Sequence, residues 1–177
     1  CAYSGSFAKG KGIENIINIS KNNQNIFFHL YGDFSNSNFS KNSFKKFKNI
    51  EYKGYIKYQN IPKVLSKYNI LLLPYSKKVF VRSKSIETSK YMSPMKLFDY
   101  MASKKIIIAS KMPVYKHILN NKNSILISSE RPELWAKKIS HVFKNLSKFK
   151  NLRKNAFIKV KNFTWSKRVS RIIRFSS

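Results

Sequence analysis

Two hydrophobic periods alternate along this chain from one end to the other. Residues 1–4 read as a short strand. A glycine-rich turn then leads into a helix whose apolar positions, Ile13, Ile16, Ile17 and Ile19, share one side. Residues 26–31 form a second strand closed by Gly32 and Asp33, and residues 50–53 a third closed by Gly54. Between them, 34–48 is polar with Phe39, Phe44 and Phe47 interspersed, which predicts a loop followed by a surface helix. Residues 61–68 predict a helix with Pro62 near its start and Ile61, Val64, Leu65 and Tyr68 turned inward. Residues 69–74 are almost entirely apolar, as a strand in the middle of a parallel sheet must be when both its faces are covered.

The stretch 75–92 has no period and many charges, and reads as a loop at the carboxyl end of that central strand. Residues 93–103 then carry a helix start. Ser93 suits the N-cap, and Pro94 suits the first helical position, where no backbone donor is needed. Leu97, Phe98 and Met101 make one apolar face, and Asp99 lies off it. A strand at 105–109 follows, then a short helix at 112–119 started by Pro113, a turn at 120–123 and a last strand at 124–127. Residues 131–149 predict one long amphipathic helix that buries Leu134, Trp135, Ile139, Val142, Phe143 and Leu146. Residues 151–161 predict a further helix, and 163–173 a closing helix capped by Thr164 or Ser166. No internal repeat or linker interrupts this order. Strand alternating with helix throughout predicts an α/β fold. It is a single Rossmann-like domain over 1–177, a parallel sheet with helices on both faces.

The formal net charge of +29 changes the picture only in part. Lys, Asn, Ile, Phe and Tyr are all abundant and all written with A/T-rich codons, and the lysines are spread along the chain. Codon bias accounts for most of the charge, while the field it creates still collects anionic substrates. No apolar run reaches the roughly eighteen residues of a membrane span, and no signal-peptide pattern is present. A single cysteine makes no internal disulfide and suits a reducing compartment. The expected location is the cytoplasm, with peripheral contact at the inner face of an anionic membrane as a compatible addition. A strand that starts at Cys1 points to a segment of a longer chain.

Two turns carry candidate phosphate chemistry. The first, at 5–12, holds Gly5, Gly10 and Gly12 with Ser6, Lys9 and Lys11. It lacks the Gly-Lys-Ser/Thr ending of a Walker loop and the glycine spacing of a dinucleotide fingerprint. The second is the helix start at Ser93, Pro94, Met95 and Lys96, where free backbone N–H groups and a positive dipole end favour an anion. In a doubly wound sheet both turns lie on one edge. They can close on one diphosphate, with N–H groups on one side and the ammonium of Lys11 or Lys9 on the other. Asp99, one helical turn further, can accept two hydrogen bonds from a vicinal diol such as ribose. His29, His117 and His141 read as structural. No His/Cys/Asp cluster has ligand spacing, so no metal or other cofactor is expected.

A reading of another class rests on 43–58, where lysines alternate with aromatics in a pattern suited to single-stranded nucleic acid. The same pattern arises when Phe44, Phe47, Tyr52 and Ile56 belong to the core and the lysines to the wet face. The core reading is preferred and a nucleic-acid partner is not expected. A basic nucleic-acid-binding module without catalysis remains the alternative function.

The succession of blocks resembles a known family. These blocks are Tyr3 to Gly12, Leu30-Tyr31-Gly32-Asp33, 50–55, 70–75, Ser93 to Ala102 and Phe163-Thr164-Trp165-Ser166. Together they resemble the carboxy-terminal, donor-binding domain of retaining glycosyltransferases with the GT-B architecture, the glycosyl transferases group 1 family. The resemblance implies a nucleoside diphosphate sugar as donor and a glycosyl group transferred with retained configuration to a saccharide or lipid-linked acceptor. It implies that Lys11, Gly5 and Ser6 meet the diphosphate, with Lys9 and Gly12 in the same loop. It gives the helix start from Ser93 to Leu97 the phosphate, Asp99 the ribose hydroxyls, and Tyr55 and Ile56 the base. Tyr91 stands where the family has an acid that contacts the transferred sugar. Ser6 replaces a frequent arginine, and Asp99 a frequent glutamate. The family's amino-terminal domain is absent from this chain. It would be a partner in cis or in trans, and without it weak donor binding and inefficient transfer are expected.

Overall fold

The computed structural model describes residues 1–35, 37–81, 86–92 and 95–176. The strands are β1 (Ala2–Ser4), β2 (Phe28–Tyr31), β3 (Ile50–Gly54), β4 (Ile70–Leu73), β5 (Phe80–Val81), β6 (Ile86–Glu87), β7 (Ile106–Ser110) and β8 (Ile125–Ile127). Six of them form one sheet in the order β3-β2-β1-β4-β7-β8, and every pairing in it is parallel. The helices are α1 (Ile13–Lys21), α2 (Ile61–Leu65), α3 (Met95–Ala102), α4 (Pro132–Lys144), α5 (Lys150–Val160) and α6 (Trp165–Ser176).

The middle of the sheet is set by composition. β4 and β7 are buried at every residue and pair in register from Ile70↔Ile106 to Leu73↔Ala109. Strands apolar on both faces need helices on both faces, and α1 packs with α4 while α3 packs with α5. The chain leaves β1 towards β2 and β3, and leaves β4 towards β7 and β8. The winding therefore reverses between β1 and β4, and the carboxyl ends of those two strands frame a crevice. No helix among the described residues is long and apolar enough to cross a membrane.

Several local expectations are corrected. The helix expected over 131–149 stops at Lys144. Asn145 leaves helical geometry (φ −132°, ψ 36°) and its side-chain amide donates to the His141 carbonyl at 2.9 Å. A 3-10 turn then leads into α5. The buried stripe of α4 is narrower than its apolar content suggested. Trp135, Ala136, Ile139 and Val142 fill it, and Phe143 at the flank is 46% exposed. The surface helix expected before residue 48 is only a 3-10 turn at Lys41–Phe44. Its aromatics form a cluster instead, with Phe7 edge-on to Phe34 and Phe44, and Phe39 stacked on Phe44. The short helix expected at 112–119 likewise reduces to a 3-10 turn at Pro113–Tyr115. The loop at 75–92 holds the antiparallel pair β5–β6.

Phe44 is buried, Phe47 is packed against the core, and the Tyr52 hydroxyl donates to the Gly32 carbonyl at 2.9 Å. The aromatics at these positions of the lysine-rich 43–58 stretch thus serve the core. Tyr55 and Tyr58 remain exposed.

Candidate functional site

β1 delivers the chain to the crevice. The Ser4 amide donates to the Tyr100 hydroxyl at 2.9 Å, tying the strand end to α3, and the Gly5 amide donates to the Tyr31 carbonyl at 2.8 Å. Gly5 then turns with φ +140°, and a Cβ there would lie 2.3 Å from Nζ of Lys96. The space a side chain would fill at Gly5 is taken by the ammonium of Lys96, which comes from the first turn of α3.

That ammonium is unusual. The Lys96 stem is half-buried, but Nζ is out of contact with solvent and has no hydrogen-bond partner among the described residues. It lies 3.8 Å from the ring centroid of Tyr3 and 5.1 Å from that of Tyr75. Lys11 Nζ reaches the same Tyr75 ring at 4.9 Å. Aromatic faces partly replace the lost water around a cation, yet no carboxylate pairs with either lysine among the described residues. Burial, with the Lys11 charge as a second cause, pushes the Lys96 pKa well below its ordinary value. Burial alone lowers that of Lys11. Two desolvated cations without a counter-ion are a costly arrangement that an anionic ligand would relieve.

In front of them lies a cleft of about 160 Å³. Each of its walls comes from the carboxyl side of a strand: Gly5 and Ser6 after β1, Gly32 and Asp33 after β2, Tyr55 and Ile56 after β3, and Lys96 and Asp99 from α3. Burial raises the Asp99 pKa. Asp33 is held by the Ser35 amide, which donates to its carboxylate at 2.9 Å.

Six residues singled out from the sequence therefore share one cleft: Gly5, Ser6, Tyr55, Ile56, Lys96 and Asp99. Lys11 joins them through Tyr75. Gly12, at φ +89°, begins α1 where a Cβ would lie 2.0 Å from the Pro74 carbonyl oxygen, so it seats the turn against the end of β4. Lys9 points elsewhere. Its ammonium sits 5.1 Å from the Phe80 ring, in a separate cleft with Gly10 and Glu14 beside the β5–β6 pair. Leu97 is core, Met95 is exposed, and Tyr91 is 86% exposed and outside the cleft lining. Ser93 and Pro94 lie outside the described residues. The buried rings of Tyr3 and Tyr75 against Lys96 were not anticipated. Tyr75 had one sequence signal, its place just beyond the apolar run of β4.

The histidines sit apart from the cleft. His29 Nδ1 is 2.8 Å from the Tyr68 hydroxyl, and His141 stands edge-on to Phe149. Among the described residues no three His, Cys, Asp or Glu side chains gather as a metal site would require.

The sequence model of the glycosyl transferases group 1 family matches residues 1–159. The chain belongs to that family. Solved structures share its fold. A glycosyltransferase from Rickettsia africae aligns with TM-score 0.78 at 16% identity, over 98% of this chain and 46% of that one. HepE from Anabaena in complex with UDP aligns with TM-score 0.75 at 14% identity, over 98% and 48%. The C-terminal domain of the group 1 protein LpcC from Francisella tularensis aligns with TM-score 0.68 at 19% identity, over 91% and 84%. No curated protein matches. This group 1 domain thus spans under half the length of the first two neighbours and most of the third. The cleft of the group 1 domain opens at the carboxyl ends of β1, β2 and β3 against α3, with Lys96 in its lining.

Proposed function

We propose that this group 1 domain binds a nucleoside diphosphate sugar and presents it for transfer, with retained anomeric configuration, to a saccharide or lipid-linked acceptor. The observation that carries the reading is Lys96, whose Nζ is buried near Lys11 and has no hydrogen-bond or carboxylate partner among the described residues. In this reading the diphosphate takes that place, held by both lysines, by the first-turn amides of α3 and by the backbone at Gly5 and Ser6. Asp99 accepts the ribose hydroxyls, and Tyr55 and Ile56 frame the base. HepE, the Anabaena neighbour that shares the fold, holds UDP, which supports a uridine donor as the first to try.

Transfer breaks the bond between the anomeric carbon and the leaving phosphate oxygen. Negative charge grows on the diphosphate as positive charge grows on the sugar. Cations already fixed and desolvated meet that growing charge without reorganising, which is where electrostatic catalysis gains most. Acceptor recognition falls to a second α/β domain, in cis or in trans, which fits a chain spanning under half of two longer neighbours.

Isothermal titration with UDP, ADP and GDP tests the reading. At least one should bind, and Lys96→Met should weaken it while the domain stays folded. Absence of binding by all three, in a protein that melts cooperatively, would overturn it.

A further inference from the structure

Strand β2 alternates its side chains, so His29 and Tyr31 share one face of the sheet while Phe28 and Leu30 are buried on the other. Both rings reach Tyr68, which follows α2. The Tyr68 hydroxyl lies 2.8 Å from Nδ1 of His29 and 2.6 Å from the Tyr31 hydroxyl, and its ring stands edge-on to both. At the far end, Glu51 of β3 is the register partner of His29, and its carboxylate is 3.6 Å from Nε2 of that ring. Lys53 pairs with the same carboxylate. At the near end, Tyr31 lines the Lys96 cleft together with Tyr55, Ile56 and Ile61. A line of side chains thus runs from an exposed carboxylate to the wall of the cleft.

The protons on this line have a direction. A carboxylate facing Nε2 favours the neutral tautomer that carries its proton on that nitrogen. Burial, with the Lys53 charge as the second cause, lowers the His29 pKa against the opposing pull of Glu51, so the ring is neutral at neutral pH. Nδ1 then has only a lone pair and accepts from the Tyr68 hydroxyl. The Tyr68 oxygen accepts in turn from Tyr31. The Tyr31 oxygen, its own proton committed to Tyr68, offers only lone pairs to a ligand in the cleft.

We propose that Tyr31 selects the base of the nucleotide, its oxygen accepting an N–H from the ring, and that Tyr68 and His29 are positioning residues that fix it as an acceptor. Uracil carries such an N–H at N3. Cytosine, a ring of the same size, has a lone pair there. The relay therefore favours a uridine donor over a cytidine one. This inference rests on the nucleotide reading above, in which Tyr55 and Ile56, beside Tyr31 in the lining, frame the base.

Titration of the chain with UDP and CDP tests it. The parent should bind UDP about tenfold more tightly than CDP, the scale of one hydrogen bond exchanged for two facing lone pairs. Tyr68→Phe keeps the ring and its packing but frees the Tyr31 proton to turn into the cleft, so the preference should vanish or reverse. Tyr31→Phe should weaken UDP and level the two ligands. A merely structural role for Tyr68 would weaken UDP and CDP alike and keep their ratio. Nitrogen NMR of isotope-labelled histidine, with His29 assigned through His29→Gln, should place the ring proton on Nε2 with no nucleotide present. Equal binding of UDP and CDP by the parent, a ratio that survives Tyr68→Phe, or a neutral His29 protonated on Nδ1 would each overturn this proposal and leave nucleotide binding standing. Binding of ADP or GDP in place of UDP would do the same. Binding of no nucleotide at all would overturn the nucleotide reading and this inference with it.

Discussion

Lys11 and Lys96, contributed by turns far apart in the sequence, hold their ammonium groups 4.9 and 5.1 Å from one ring, that of Tyr75. Neither has an ion-pair partner among the described residues. Like charges brought together and desolvated raise the energy of the empty site, and an anion that enters recovers that energy as affinity.

Lys96→Met keeps the length of the stem and removes the charge. UDP affinity should fall about 10- to 100-fold, the scale of one charge-assisted contact at ~1.5–3 kcal/mol. The melting temperature of the unliganded domain should not fall, because the deleted ammonium is desolvated and unpaired. Titration calorimetry and a thermal melt give both numbers. A lower melting temperature with unchanged UDP affinity would make Lys96 a structural cation.

The depressed pKa of Lys96 also predicts a pH dependence. Above its native pKa, and up to about 10.5, the unfolded chain still holds a proton that the native state has released. Native stability contributed by this group therefore rises with pH across that window. Buried Tyr3 and Tyr75, whose pKa values are raised, act in the opposite sense from about pH 10 upwards. The difference between the parent and Lys96→Met in urea midpoints at pH 7–9.5 isolates the lysine, and the parent should show the steeper rise. An anion favours the protonated amine, so UDP binding should take up protons and weaken as pH rises. Calorimetry in buffers of different ionisation enthalpy measures that uptake.

Gly12→Ala and Gly5→Ala should differ in kind. At Gly12 the new methyl meets the Pro74 carbonyl, which cannot step aside, and φ is +89°. A loss of about 2 kcal/mol or more is expected from strain plus clash. At Gly5 the obstacle is the end of the Lys96 side chain, which can move. That variant should lose less stability and more UDP affinity, as read from urea unfolding and titration of the two proteins.

Asp99 is tested by changing the ligand as well as the protein. The parent should prefer UDP over its 2′,3′-dideoxy analogue, and Asp99→Ala should bind the two almost equally. A preference that survives the substitution would move the ribose contact elsewhere. Because burial raises the Asp99 pKa, the preference should fade at a higher pH than for an ordinary aspartate as pH falls.

Much of the fold could be read from local pattern. The all-apolar runs 70–73 and 106–108 identified the two central strands, and the glycine turn after residue 4 identified a βα junction. Where the reading failed, the cause was competition from tertiary contact. Phe34, Phe39 and Phe44 chose each other and Phe7 over a helix. Propensity within a window does not register such partners.

The sequence by itself determined the alternation of strand and helix, the parallel sheet and the two turns suited to an anion. These follow from periodicity and from glycine and proline at fixed points, which act over a few residues. Only the tertiary structure decided which lysine shares the Tyr75 ring with Lys96. Lys9 and Lys11 stand two places apart in one loop, yet one lies over Phe80 and the other over Tyr75. Their directions depend on where β4 and the β5–β6 pair arrive, and those contacts join residues that no local stretch contains.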